Sequence, residues 1–317
     1  MTDYYFAHAR TALKFGILSL GLKENDEILI PNYICDVLLE PLIELKIKLQ
    51  FYEIDRNFKP LWKNMNSYLN KKTKAIIMVN YFGNLIDFDN FIKFSKKNNI
   101  FLIEDNAHGY SGKYNEQLLG KLSDIGISSP RKLIGLNSGA ILHLNKSDLN
   151  LDNLNINLSE YNTKSKSRIN FFLKSQFPTK LKKYIKRTYK RRPLYEDQNS
   201  FRESKIKSYL IDPKDYEIIK KTNWFELRKK RYEKYIFWKK FCQKNDLEAA
   251  FKNFNESFIP WCFPAYTSSH TESIKWFDWG WKNNEIIFSW PTLPLMHNMN
   301  NTNQYKRWQK MIFFSTD

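Results

Sequence analysis

Three short segments hold side chains whose types and spacing can do chemistry. The first is LIEDNAHG, residues 102–109, where an apolar run ends on Asp105. A carboxylate at the end of a buried strand is costly unless something pairs with it. A protonated pyridine nitrogen is one partner that fits: the ion pair keeps the ring cationic, and a cationic ring withdraws electrons from a carbanion. An acid in such a place can also cap a helix or bind a metal or a ribose. The second segment is SDIGISSPRKLIGLNSGAILHL, residues 123–144. Lys132 lies between a Ser/Pro turn and a Gly-containing turn. A lysine that reacts as a nucleophile must be held in place and must lose its proton readily. Ser128 or Ser129 can offer a hydroxyl to a phosphate. With 51 Lys and Arg in the chain, a plain surface lysine is the competing reading. The third segment is ARTAL, residues 9–13, at the start of a helical pattern. A helix N-terminus binds phosphate through its free N–H groups and its dipole. Thr11 adds a hydroxyl and Arg10 a charge, while a simple N-cap is the plainer alternative.

The elements that must position these residues alternate along the first 145 positions. ARTALKFGILSLGL has helical apolar spacing, DEILIP is a strand ended by Pro31, and VLLEPLIEL reads as a helix. LQFYEID, Thr73–Tyr81, IFLIED and GAILHL read as strands, and DFDNFIKFSKKNN as an amphipathic helix. Helices alternating with apolar strands predict an α/β fold with a mostly parallel sheet. In such sheets chemistry collects at the C-terminal ends of the strands, where Asn80–Gly83 and Glu104–His108 fall. Residues 146–163 read as a surface segment, 213–245 as long amphipathic helices, and 255–317 as a small α/β unit of short strands. The domain expectation is a large domain over 1–210, including a basic insertion at 164–192, and a small C-terminal domain over 211–317.

Composition narrows the function classes. Hydrophobic residues make up 42% of 317, enough for a sizeable core. Cys35, Cys242 and Cys262 are odd in number and far apart, which predicts a reducing compartment without a disulfide framework. No His/Cys cluster has zinc spacing, so no metal is expected. The N-terminus lacks a signal-peptide pattern and no run of 18 apolar residues occurs, so the expectation is cytoplasmic. The net charge of +18 points to anionic partners. Residues 164–192 hold twelve basic residues and no acid, with apolar residues between them. That composition suits an arm packed on a partner subunit, a peripheral contact with anionic lipid at the inner membrane, or, less well, nucleic acid.

Taken together and in order, the three segments resemble the DegT/DnrJ/EryC1/StrS family of sugar aminotransferases, which depend on pyridoxal 5'-phosphate (PLP). The family's opening helix motif is matched by Arg10-Thr11-Ala12-Leu13, and its "G-D-E-V-(I/L)-x-P-x-(F/Y)" by Asn25–Tyr33. "T-K-A-I-I-x-V-x-x-(Y/F)-G" is matched from Thr73 to Gly83, "(V/L)-I-E-D-x-A-(Q/H)" from Leu102 to His108, and "G-x-x-(G/S)-D-I-G" from Gly120 to Gly126. A Ser-rich turn, the lysine and Gly139-Ala140 follow. The resemblance covers residues 5–145. Arg231–Tyr235 and Ser289–Pro294 look like the family's "R-x-x-x-Y" helix and its late "L-P-L-x-P" segment.

The resemblance implies the fold-type-I, aspartate-aminotransferase-like architecture with a smaller C-terminal α/β domain. It implies that Lys132 carries PLP covalently and then moves protons, that Asp105 pairs with the pyridine nitrogen, and that His108 meets the cofactor's phenolic oxygen. Arg10, Thr11 and Ser128 or Ser129 would bind the phosphate. The family's ring-stacking aromatic position holds Cys35, with Tyr33 two residues earlier, and which of them faces the ring is open. The turn before Lys132 is one residue shorter than is usual, and the family's "G-x-N-x-R-(M/L)" segment is not recognisable. The implied activity moves an amino group from an amino acid, glutamate first among them, to a ketone of a nucleotide-activated sugar for surface-glycan biosynthesis, in a homodimer. A transaminase of a smaller phosphorylated ketone, or a degenerate scaffold binding anionic lipid or polymer through 164–192, are the alternatives. Related dehydratases carry His in place of the lysine, and Lys132 speaks against that chemistry.

Overall fold

The computed structural model describes residues 1–152, 154, 158–161, 194–195, 209–294 and 302–317. The basic stretch 164–192 lies outside the described residues, so its roles as arm, lipid surface or nucleic-acid patch are not addressed by the structure.

The long apolar runs form the centre of a seven-stranded sheet. Its strands are β1 (Thr2–Phe6), β2 (Glu27–Pro31), β3 (Lys48–Tyr52), β4 (Thr73–Val79), β5 (Phe101–Asn106), β8 (Ile125–Ser128) and β9 (Ala140–Leu144). A two-stranded hairpin, β6 (Lys113–Tyr114) and β7 (Gln117–Leu118), leaves between β5 and β8. The sheet order is β1-β9-β8-β5-β4-β2-β3. From β3 to β8 all neighbours are parallel, and β9 runs antiparallel to both β8 and β1. Parallel strands are covered on both faces and read as continuous apolar runs: every residue of β2, β8 and β9 is buried, and only Lys74 of β4 is exposed.

Helices α1 (Ala9–Ser19), α2 (Leu39–Glu44), α3 (Phe88–Asn98) and α4 (Arg131–Ile134) connect these strands. The stretch expected as one helix after β2 is instead a 3-10 turn, Asp36–Leu38, running into the short α2. In α3, Phe91, Phe94 and Ser95 face the sheet at helical spacing, and Asn99 ends it in the left-handed conformation. Helix α1 lies close against the sheet: a Cβ on Gly16 would come within 2.7 Å of the Ile125 side chain and 2.8 Å of that of Leu142.

The C-terminal part is a second sheet, antiparallel throughout, in the order β10-β11-β13-β12. It is formed by β10 (Glu248–Ala249), β11 (Cys262–Tyr266), β12 (Ile287–Phe288) and β13 (Met311–Ser315). Helices α5 (Pro213–Lys221) and α6 (Trp224–Lys244) precede it, with α7 (His270–Asn283) and α8 (Asn303–Gln309) between its strands. The start signals are local: Asp212, Asn223 and Ser269 each accept a backbone N–H of the first turn with their side chains. Helix α6 buries Arg231, Tyr235, Trp238 and Cys242 along one seam. The Trp238 indole donates to the Ser315 carbonyl at 2.8 Å, and the Tyr235 ring meets Phe263 edge-on at 4.8 Å. Full burial of aromatic side chains of this kind is worth about 1.5–3 kcal/mol each. Among the described residues, no helix is long and apolar enough to cross a membrane.

Candidate active site

The parallel strands β2, β4, β5 and β8 end on the same side, and a cavity of about 310 Å³ opens there. Parallel register sets the depth of each contribution. Asp105 on β5 is level with Val79 on β4 and Ile127 on β8, and all three line the cavity. Neighbouring positions point to the opposite face by strand alternation. Glu104 and Asn106 accordingly join a separate network: the Asn80 amide donates to Glu104 at 2.7 Å and to Asn106 at 3.2 Å, and Asn106 donates to the Ser128 hydroxyl at 3.2 Å. That hydroxyl also meets His143 Nε2 at 3.0 Å, and His143 Nδ1 lies 2.8 Å from Asp3.

Past the end of β8 the chain turns through Ser129 and Pro130 into the single turn of α4, which presents Lys132 to the cavity. Gly135, at φ +68°, stops the helix in the left-handed region that glycine enters without strain. The Lys132 Nζ lies 3.2 Å from His108 Nε2. Burial, and then the charge of Lys132, hold the His108 imidazole well below its usual pKa, so it is neutral. A neutral ring with Nε2 unprotonated accepts a hydrogen from the Lys132 amine. His108 is stacked on Trp261 with centroids 4.1 Å apart and planes 7° from parallel, and the Lys132 Nζ is 5.7 Å from the same indole. The Asp105 carboxyl accepts the Ala107 N–H at 3.0 Å. Burial raises its pKa, while the Ala107 N–H and the Lys132 charge oppose the rise.

On the opposite side the cavity meets the N-terminus of α1, with His8, Ala9 and Arg10 in its lining. Arg10 pairs with Glu40 of α2 at 2.5 Å. Thr11, expected as a phosphate ligand, is buried in the first turn and is not part of the lining. The two serines separate. Ser128 is engaged under the sheet by Asn106 and His143, whereas the fully buried Ser129 hydroxyl has no hydrogen-bond partner among the described residues. The two candidates for the ring face separate as well. Cys35 lines the cavity, while Tyr33 is buried outside it, its hydroxyl donating to the Trp290 carbonyl at 2.6 Å. The structure therefore brings together Lys132, Asp105, His108, Arg10 and Cys35 and leaves Tyr33, Thr11, Ser128 and Ser129 outside the lining.

His8, Arg131, Trp261 and Trp290 also line the cavity and were not among the residues read as site candidates from the sequence. His8 stands at the N-cap of α1, a position that sequence reasoning could have reached from the helix start. Trp290 belongs to the Ser289–Pro294 segment that resembles a late family motif, and Ser289 and Thr292 join it in the lining. The Asp36 N–H donates to the Thr292 carbonyl at 2.9 Å, which ties that segment to the chain that carries Cys35. Trp261 carried no signal: its neighbours on the cavity wall are all distant in sequence. Arg231 of α6 braces both walls from behind. Its guanidinium donates to the Leu133 carbonyl at 2.7 Å and to the Trp261 carbonyl at 3.3 Å, and it pairs with Asp317. Burial lowers its pKa to about 10, so it stays charged.

This sheet, with its small C-terminal partner and a lysine and a carboxylate over the strand ends, is the fold-type-I architecture of PLP-dependent transferases. Residues 6–159, just under half of the chain, match the DegT/DnrJ/EryC1/StrS aminotransferase family. The chain is similar to GDP-perosamine synthase of Escherichia coli O157:H7, 26% identical over 120 residues, 38% of this chain and 33% of that protein. It is also similar to GDP-4-keto-6-deoxy-D-mannose 3-dehydratase of Yersinia pseudotuberculosis, 30% identical over 108 residues, 34% of this chain and 28% of the relative. The matched stretch thus spans about a third of the length of these relatives. The fold extends further. The PLP form of the sugar aminotransferase Spr1654 from Streptococcus pneumoniae superposes with a TM-score of 0.66 at 13% identity, covering 99% of this chain and 81% of that one.

The residues fit PLP. A buried carboxyl, a lysine amine and a helix N-terminus line one cavity, and the unpartnered buried hydroxyl of Ser129 lies in the turn that leads from β8 to Lys132. A ring nitrogen, an aldehyde and a phosphate call for those four groups.

Proposed function

We propose that the protein is a PLP-dependent aminotransferase acting on a keto group of a nucleotide-activated sugar. The observation that carries the reading is Lys132 Nζ beside a neutral His108 Nε2, in the cavity that Asp105 lines from β5. When bound, PLP supplies an aldehyde that condenses with amines and a ring that withdraws electrons. Asp105 holds the ring nitrogen's proton. In a buried site its carboxylate needs that partner, and the partner's charge favours the ionised form. His108 accepts a hydrogen from the Lys132 amine and so orients it. Lys132 would take the proton from the substrate carbon that bears the nitrogen and deliver it to the cofactor's former aldehyde carbon, and would carry it the other way when the keto sugar is the substrate. The Ser129 hydroxyl, Arg10 and the first-turn amides of α1 bind phosphate.

The sugar half of the proposal rests on the relatives, whose names specify GDP-linked sugars. Within that substrate class, Lys132 favours amino transfer over dehydration. A glutamate donor, a homodimer and a role in surface-glycan synthesis belong to the same proposal. The test is a half-reaction. The protein is converted to its pyridoxamine form with glutamate, then mixed with a GDP-linked 4-keto-6-deoxyhexose. Return of absorbance at about 410–430 nm with formation of an amino sugar is expected. A deoxygenated keto sugar without nitrogen would show a dehydratase, and no spectral change with any nucleotide sugar would remove the substrate class.

A further inference from the structure

We propose that His8, together with Arg131, is a ligand for the phosphate of a phosphate monoester at the start of α1, and that His8 takes up a proton when that anion binds. In the cofactor's case the inference rests on the function proposed above. Its observations are separate from those behind Lys132. His8 is only 3% exposed, lines the cavity at the N-cap of α1, and its Nδ1 has no hydrogen-bond partner among the described residues. A buried ring nitrogen left unsatisfied costs free energy, and the cavity in front of it is where the α1 N-terminus favours negative charge. Arg131 lines the same cavity from the turn after β8. Sequence distance hid this pairing: His8 and Arg131 come from the two ends of the large sheet's chain, joined where Gly139 donates to the Ala7 carbonyl at 3.0 Å and Arg131 donates to the Gly139 carbonyl at 3.3 Å.

The charges around the imidazole explain why its protonation follows the anion. Burial, then Arg131, then Arg10 depress its pKa to about 3, so it is neutral before an anion binds. From the remaining side the Tyr161 ring meets it edge-on at 5.5 Å; Tyr161 in turn feels Arg131, Asp212, Asp215 and Tyr209. The charged groups that act on His8 are Arg131 and Arg10. A dianion set between His8, Arg131 and Arg10 cancels that repulsion and adds an attraction of its own, which favours the imidazolium. The proton comes from solvent. A monoester dianion is therefore held by three cations instead of two, and its affinity rises as pH falls through the bound-state pKa of His8.

The experiment uses the full chain with ¹⁵N-labelled histidine and inorganic phosphate as the first probe at pH 7. The ring nitrogens of His8, assigned by their loss in His8→Asn, are expected to move from a neutral to an imidazolium pattern at saturation. A His8 that stays neutral at saturating phosphate overturns the proposal. PLP and pyridoxal supply the second arm. PLP affinity should fall at least about tenfold in His8→Asn and in Arg131→Gln, with pyridoxal affinity changed less than about twofold. Equal losses for both compounds would mean damage to the fold or to the ring site, and would contradict a phosphate role. GDP-mannose, whose two phosphates are each esterified once and joined by an anhydride so that neither is a monoester dianion, is the third arm: protonation of His8 by it but not by phosphate or PLP would contradict the monoester assignment. The phosphate arm stands whether or not the protein turns yellow, so failure of the PLP reading is distinguishable from failure of this one.

Discussion

Lys132 and Asp105 line one cavity but have different parts in the proposed reaction, and each can be removed alone. Replacing Lys132 with Ala should abolish turnover and the visible absorbance while leaving PLP bound by its phosphate, which fluorescence quenching of the nearby Trp261 and Trp290 would report. Asp105→Asn keeps the shape but loses the charge opposite the ring nitrogen; a fall in kcat on the order of 10²–10⁴-fold is expected, checked by single-turnover kinetics with glutamate. Glu104, one residue away on the other face, offers a stability test free of catalysis. Burial raises its pKa from 4.5 to about 7 despite hydrogen bonds from Gly120, Leu122 and Asn80. A carboxyl whose native pKa is raised retains its proton where the unfolded chain has lost it. Its contribution is fully present below about pH 4.5 and is lost as pH rises through about 7. Over that window the PLP-free protein should lose on the order of 3 kcal/mol from this group. Denaturant melts of wild type and Glu104→Gln should show a shallower pH slope in the variant; an unchanged slope would contradict the assignment. Asp105 and Lys132 were legible in the sequence because they sit in ordered local motifs. That Ser128 turns into the Asn106–His143 network while Ser129 is left without a partner was not, because strand alternation sets it and the exact end of β8 cannot be read from propensity.

Close backbone approaches between elements keep the strand ends in register. A Cβ on Gly126 of β8 would lie 1.9 Å from the Gly120 carbonyl oxygen, and one on Gly83, at φ +89°, would lie 2.1 Å from that of Ile259. Backbone cannot yield as a side-chain tip can, so Gly126→Ala should destabilise by more than about 2 kcal/mol. By displacing β8, the same change should weaken PLP binding; thermal melts with and without PLP measure both. Helix α6 makes the other connection. Arg231 ties the carbonyls of Leu133 and Trp261 across the back of the cavity. Arg231→Met should cost about 3 kcal/mol by leaving those buried carbonyls unmatched, and calorimetry would show it. Helices α1 and α3 and the large-sheet strands were legible because their periodicities are strong and their ends carry Pro31 and Asn99. The split between the 3-10 turn and α2 was not, because Pro41 is tolerated in a first helical turn and gives no sign of the break before it.

Over the whole molecule, the half of the cavity proposed to hold the cofactor comes from the large sheet, and much of the opposite wall comes from the C-terminal part. The sequence resemblance ended near residue 145, and the structure explains where it stopped being informative. Trp261 and Trp290 reach the cavity from segments bordering β11 and β12, and their positions depend on long-range pairing that no local pattern encodes. The same limit holds for the family match, which ends at residue 159, while the shared fold covers nearly the full chain. The central claim is that one lysine of the many in this chain carries PLP. Incubating the full-length protein with PLP, reducing with borohydride, and mapping the modified peptide by mass spectrometry tests it directly. The account predicts a phosphopyridoxyl group on Lys132, lost when Lys132 is replaced by Ala. A label spread over other lysines, or none after full reconstitution, would contradict it.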